Sequence, residues 1–155
     1  MILKKVFPAT VCMAAIVILL ICGTATAGSR FESGFRGIAW ATPKDRLPDL
    51  GLSEKSLKNI YKSGPASVFF MEGKGNLALN MDSIPLLSIF MHFDHQIFCG
   101  VDLIFKPENR EKIYTTIANE MGSPGKPDAE GVRWETGNLM ILLTDRELMV
   151  SHKER

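Results

Sequence analysis

His92, Asp94 and His95 form the first group in this chain whose residue types could do chemistry. Imidazole and carboxylate groups bind zinc, copper and nickel, and a hairpin could bring these three side chains near one ion. His92 lies within an apolar run, however, and the other two residues suit an ordinary turn. A structural zinc site also needs a fourth ligand, for which His152 is the only histidine left. We therefore expect a turn here and no bound metal.

Cys99 is the second candidate, because a thiolate becomes a nucleophile when a base activates it. A hairpin with a three-residue loop at 94–96 would place Cys99 opposite Met91 in the core, away from His92. This pattern predicts a buried structural thiol. The chain also contains no G-x-S-x-G, H-E-x-x-H, P-loop or C-x-x-C motif. We therefore expect no enzymatic activity, no catalytic residue and no cofactor.

Three segments carry helix signals. Thr42 and Pro43 predict a short helical turn that ends near Pro48. A second helix is predicted to begin at Ser53 and to end at 64–65, because apolar residues at 57, 60 and 61 share one helical face. The strongest signals surround 107–121, where a proline stands in the first turn and Gly122 follows the last residue.

The remaining segments alternate or form short apolar runs, which is typical of strands. Before the long helix, Phe35–Ala41 can form a strand or an extended arm, and four strands at 68–71, 77–81, 86–93 and 97–105 suggest an antiparallel meander. Three more follow the helix, at 132–135, 139–144 and 147–152. The element order predicts an α+β fold, an antiparallel sheet with helices packed on one face.

The candidates for partner contact are aromatic residues and the arginines near two of them. The predicted 86–105 hairpin has an apolar core face and a mixed second face, and the second face could hold a groove or a partner. Trp40 and Trp134 are flanked by arginines, and an aromatic residue next to arginine can be an interface hot spot. The candidate contact residues are Arg36, Trp40, Phe90, Phe98, Arg133 and Trp134.

Residues 1–27 have the layout of a secretory signal peptide, with two lysines before an apolar run and a final Ala25-Thr26-Ala27. Cleavage after Ala27 would leave residues 28–155 as a single domain, periplasmic or secreted. Two alternatives stay open. The uncharged run is close to the roughly 20 residues that span a bilayer, so it could be a retained anchor. Cys22 also has the surroundings of a lipid-attachment site, and membrane association is expected only in these two cases.

The charge balance argues against nucleic acid as a partner. The whole chain has 18 Lys plus Arg and 17 Asp plus Glu. Since Lys4 and Lys5 would leave with the signal peptide, the mature net charge becomes about −1, which provides no basic surface for a polyanion. Cys99 is then the only cysteine, so the mature domain has no internal disulfide.

The opening 35–43, the strand 89–93, and the helix stop Gly122-Ser123-Pro124 followed by Trp134 together resemble a diffuse group of small exported bacterial proteins. That group has an F-x-G-I-x-W-G-T opening, and this chain has Ala41 in place of its last glycine. The element order is also similar to SmpA/OmlA and β-lactamase-inhibitor-protein modules. The second resemblance implies a module that binds proteins and performs no chemistry, and it transfers no site residues.

These observations predict an exported, non-enzymatic protein-binding or assembly module of the bacterial envelope, with another envelope protein as its partner. The alternative is a periplasmic carrier of a small apolar ligand, held between the helix around Ile117 and the sheet, because the domain is rich in Met and Phe.

Overall fold

The computed structural model describes residues 29–50, 52, 57–71 and 79–153, and antiparallel strands dominate them. The strands are β1 (Gly34–Phe35), β2 (Ile38–Ala39), β3 (Leu57–Ser63), β4 (Ala66–Met71), β5 (Asn80–Met81), β6 (Ile84–Asp94), β7 (Ile97–Phe105), β8 (Lys126–Pro127), β9 (Val132–Thr136), β10 (Leu139–Leu143) and β11 (Glu147–His152). The helical elements are α1 (Arg110–Met121) and two 3-10 helices, Lys44–Leu50 and Pro107–Asn109.

Nine of these strands form one sheet in the order β3-β4-β6-β7-β11-β10-β9-β8, with β5 paired to the start of β6. Every pair in it is antiparallel. β11 lies between β7 and β10, so it joins the strands that precede α1 to those that follow it. β1 and β2 form a separate small hairpin.

Two neighbouring turns organise the first half of the sheet. Gly64, with a φ of 56°, begins the two-residue turn from β3 to β4, where glycine avoids the cost of a left-handed backbone. The β6–β7 turn is made by His95 and Gln96, which adopt φ values of 48° and 66° without being glycine. Hydrogen bonds hold this strained turn: the His95 N–H donates to the Pro65 carbonyl, and the Lys44 N–H donates to the Gln96 carbonyl.

The predicted helix over 107–121 is present as a 3-10 turn followed by α1. Gly122 ends it in a left-handed conformation, and the Ser123 N–H donates to the Ala118 carbonyl over 3.1 Å, as in a Schellman motif. Ile113 and Ile117 are fully buried and attach the helix to the sheet. Burial of this apolar stripe, rather than intrinsic propensity, stabilises a helix this short.

One face of the sheet forms the hydrophobic core, and we call it the core face. The registers align two apolar rows across six strands, from β4 to β9. The rows are Phe69, Met91, Val101, Val150, Ile141 and Trp134, and Met71, Ile89, Leu103, Leu148, Leu143 and Val132.

The segment at 29–50 helps α1 to cover the core face. Phe31, Ile38 and Leu47 are each no more than 2% exposed and belong to the core cluster. Trp40 donates its indole N–H to the Phe31 carbonyl and stacks on Phe98 with ring centroids 4.9 Å apart. The core is therefore enclosed between the sheet on one side and α1 with this segment on the other.

The predicted fold class is wrong in its helical content. Strands make up 51% and helical residues 20% of the described structure, so the fold is β-rich, with one α-helix on the core face, rather than an α+β fold with several helices packed on a sheet face. The main cause is 57–63, expected in a helix, which forms the edge strand β3 with Ile60 and Tyr61 about half exposed. Backbone pairing with β4 outweighs the helical spacing of these residues, and β-branched and aromatic side chains suit a strand.

The predicted strand pairing also requires correction. β4 pairs directly with β6, and β5 forms only a two-residue ladder with the start of β6, so these strands are not a simple meander. The β6–β7 turn has two residues, which places Asp94 opposite Ile97, and register shifts follow at Cys99 and Leu87. These bulges leave Leu87 53% exposed and Cys99 only partly buried, although both were expected in the core.

The predicted signal peptide at 1–27, with its two alternatives, lies outside the described residues, as does the start of the predicted strand at 77–81.

Candidate binding face

The second side of the main sheet carries half-buried apolar side chains with a polar centre, and we call it the open face. Two rows of opposed residues cross it from β4 to β9. α1, the 3-10 helix Lys44–Leu50 and the β1–β2 hairpin contribute their buried apolar residues to the core cluster on the other side. The two rows of the open face are Val68, His92, Gly100, Ser151, Met140 and Glu135, and Phe70, Phe90, Asp102, Met149, Leu142 and Arg133.

His92 and Asp102 form the centre of the open face. Gly100 lies opposite His92 in the ladder, so no side chain blocks the space beside the imidazole. The His92 Nε2 atom lies 2.5 Å from the Asp102 Oδ2 atom on the neighbouring strand. The Asp102 side chain is 19% exposed and that of His92 is 34% exposed, so the pair is partly shielded from water. This shielding strengthens the hydrogen bond between them.

Glu147 adds a second carboxylate to this centre. It lies on β11, opposite Ile104 of β7, two positions along β7 from Asp102. Burial raises the pKa of Glu147, and the negative charges of Asp102 and Glu130 raise it further, while His92 acts in the opposite direction. Burial and the negative neighbours both disfavour the ionised carboxylate, so ionisation of Glu147 costs free energy in this position.

Arg133 is the arginine of the open face, and its charge is already paired. Its guanidinium lies 2.8 Å from the Asp128 carboxylate and 3.8 Å from that of Glu135. Lys153 lies 3.9 Å from Glu135. These contacts direct the positive charges at this end of the sheet toward Asp128 and Glu135, and not toward Asp102.

The aromatic surface of the open face lies over β4 and β6. Phe70 and Phe90 face each other across the two strands, with ring centroids 5.7 Å apart at an angle of 51°. Phe90 is also opposite Asp102, so its ring borders the carboxylate centre. Met149 borders the same aspartate from β11. Aromatic and methionine side chains provide the large, adaptable contact area common at binding surfaces.

The structure separates the six candidate contact residues into three groups. Trp40, Phe98 and Trp134 are at most 8% exposed and are parts of the core cluster. Phe90 and Arg133 both lie on the open face. Arg36 lies away from it, where its guanidinium contacts the Asn80 carbonyl and the Phe35 ring.

Three residues of the centre and its border were not predicted as contact residues from the sequence, namely Asp102, Glu147 and Met149. Glu147 and Met149 alternate with buried Leu148 and Val150, and this period of two was the signal that could have placed them on one face. Their proximity to Asp102 depends on the pairing of β7 with β11, which local patterns do not reveal.

The residue types singled out for chemistry do not assemble a reactive site. Asp94 and His95 pair with each other over 3.1 Å at an exposed turn, whereas His92 bonds to Asp102. Within the described residues, no group of three or more His, Cys, Asp or Glu side chains could hold a metal ion. The Cys99 sulfur lies 3.5 Å from the His92 carbonyl oxygen, to which the thiol donates a hydrogen bond.

Two of the grooves in the described part of the molecule lie away from the centre formed by His92 and Asp102. One of about 790 Å³ lies between the 3-10 helix Lys44–Leu50 and the β3–β4 end of the sheet. The other, about 560 Å³, lies between the end of α1 and β9. Neither is lined by His92 or Asp102. A His–Asp pair can act as a general base, but this one lies on a broad sheet face rather than in either groove.

No family model matches the chain, and no curated protein or solved structure matches it either. None of the helices in the described part of the chain is both long and apolar enough to cross a bilayer.

Proposed function

We propose that this chain is an exported, non-enzymatic module of the bacterial envelope that binds another envelope protein through the open face. The observation that carries the proposal is that the described helices and the segment at 29–50 cover the sheet on one side only. α1 and the segment at 29–50 pack on the core face, while the opposite side presents two rows of mostly half-buried side chains, in which Leu142 is buried and Glu135 exposed. An apolar face with a few polar groups at its centre is typical of a surface that another protein covers.

The form of the open face favours a protein over a small molecule. It extends over six strands, which at about 4.8 Å between strands is roughly 24 Å across. Sites for small molecules are usually concave and enclose most of the ligand. Export is inferred from the layout of residues 1–27.

Site-specific photo-cross-linking in the native envelope tests this proposal. A photoreactive amino acid would replace Met140, a half-buried residue of the open face, or Thr115, an exposed residue of α1 that serves as the control. We expect a reproducible protein adduct from position 140 and none from position 115. Adducts of equal yield at both positions, or recovery of the monomer alone from both, would contradict the proposal.

A carrier of a small apolar ligand is the second candidate, and the groove beside the first 3-10 helix is the observation that favours it. Leu47, Leu52, Phe69 and Ile97 line this groove, and the Lys44 Nζ atom lies 4.3 Å from the centroid of the Phe69 ring. Ile117, expected near the ligand, is fully buried against the sheet instead. Native mass spectrometry of the purified protein would detect a retained ligand.

A further inference from the structure

We infer that the partner inserts an arginine or lysine side chain, flanked by apolar residues, between Asp102 and Glu147 at the centre of the open face. This inference rests on the proposed function, because it names the chemistry of the partner at the same surface. The position of the two carboxylates, the charges around them and the apolar side chains beside them support it.

The two carboxylates lie close enough to share one cation. Asp102 is on β7 and Glu147 on the adjacent strand β11, where Glu147 is opposite Ile104 and Met149 is opposite Asp102. The carboxylates are therefore diagonal neighbours on one face of a single strand pair, a separation that long side chains bridge. Burial raises the pKa of Glu147, and the nearby Asp102 charge raises it further, as this arrangement of neighbouring carboxylates predicts.

The charges around these carboxylates leave negative charge at the centre. Three charged or titratable groups act on Glu147: Asp102 and Glu130 are acidic, and His92 is bonded to Asp102. Within the described residues, the Glu147 carboxylate takes part in no salt bridge with an arginine or lysine. Arg133, on the same face, is held by Asp128 and Glu135. A cation from outside would therefore complement the field at this position.

The surrounding apolar residues select the kind of cation. Phe90 and Met149 flank Asp102 in the ladder, and Ile104 lies opposite Glu147. The methylene stem of arginine or lysine can cover such side chains while its charged end reaches the carboxylates. Arginine has the further advantage that its planar group can pack on the Phe90 ring and bind a carboxylate with two hydrogen bonds. A partner with an acidic or purely apolar side chain here would leave the carboxylates repelled or unpaired.

Selection from a random 12-residue peptide library displayed on phage tests the inference. We expect the selected peptides to contain arginine or lysine next to aromatic or aliphatic residues. Replacing that arginine by citrulline, or replacing a lysine by norleucine, should weaken binding to the wild-type protein by at least about tenfold in calorimetry. The Glu147→Gln variant should lose affinity to a similar extent. Glu111→Gln, on the exposed surface of α1, is the matched control and should bind as the wild type does.

The outcomes separate the inference from the proposed function. Phe90→Ala and Met149→Ala report whether a peptide uses the open face, and a thermal melt shows whether each variant is folded. If Phe90→Ala and Met149→Ala weaken binding of a peptide, but Glu147→Gln and the citrulline replacement do not, the inference is overturned and the proposed function stands. Peptides unaffected by both face variants, or the absence of any binding peptide, would overturn both.

Discussion

Replacing two phenylalanines of the same strand, Phe93 and Phe90, by alanine should produce clearly different losses of stability. Phe93 is 1% exposed on the core face, where it packs against the rings of Phe69 and Phe98. Removing such a side chain eliminates its burial and leaves a cavity, so we expect a loss of about 3 to 5 kcal/mol in the free energy of unfolding. Phe90 is half buried on the open face, so less apolar area is lost and the site opens to water. We expect about 1 to 2 kcal/mol there.

Urea unfolding followed by tryptophan fluorescence measures both values, because Trp40 and Trp134 are buried in the core cluster. For a domain of this size, the difference of about 2 kcal/mol corresponds to roughly 8 °C in melting temperature. Phe93→Leu is a milder variant in case the alanine variant does not fold, and it should lose less than Phe93→Ala. Equal losses at positions 90 and 93 would refute the assignment of one covered and one uncovered face.

Two further predictions concern pH and backbone strain. Because the pKa of Glu147 is raised in the folded state, this state binds the proton more tightly than the unfolded chain, and stability is lost as the pH rises through the folded pKa. Glu147→Gln should therefore raise the urea midpoint of unfolding at neutral pH. This gain should disappear below about pH 4.5, the ordinary glutamate range, because Glu147 is then protonated in both states. A gain that persists at acid pH would contradict the raised pKa as the cause. Gln96→Gly should stabilise the protein by up to about 1 kcal/mol, because glycine removes the cost of the φ of 66° although it adds entropy to the unfolded chain. Gln96→Val should destabilise the protein. A thermal melt of both variants distinguishes the two results.

The sequence predicts some elements of this fold well because their signals are local. Pro107 and Gly122 bound the long helix through backbone constraints that need no tertiary contact. The segment at 57–63 lacks such a constraint, since its apolar spacing fits a helix and its side chains fit a strand. Only pairing with β4 decides between them.

The candidate site depends on information that is not local. Two bulges, at Leu87 and Cys99, set which residues of β6 and β7 are opposed, and the sequence suggested a three-residue loop where the turn has two residues. Phe90 and Arg133 could be singled out by residue type. The meeting of Asp102 with Glu147 requires β11 to return across about 45 positions of sequence and to insert beside β7.

That insertion also determines when the sheet can become complete. Until β11 pairs, β7 and β10 each present an unsatisfied strand edge, and each is rich in apolar residues. The two parts of the sheet cannot close on each other earlier in synthesis, because the strand that joins them comes after all the others in the described chain. This order delays folding, and a chain that is slow to fold stays accessible to chaperones and to aggregation. If the protein is exported as proposed, the same delay would help to keep the chain unfolded until it has crossed the membrane.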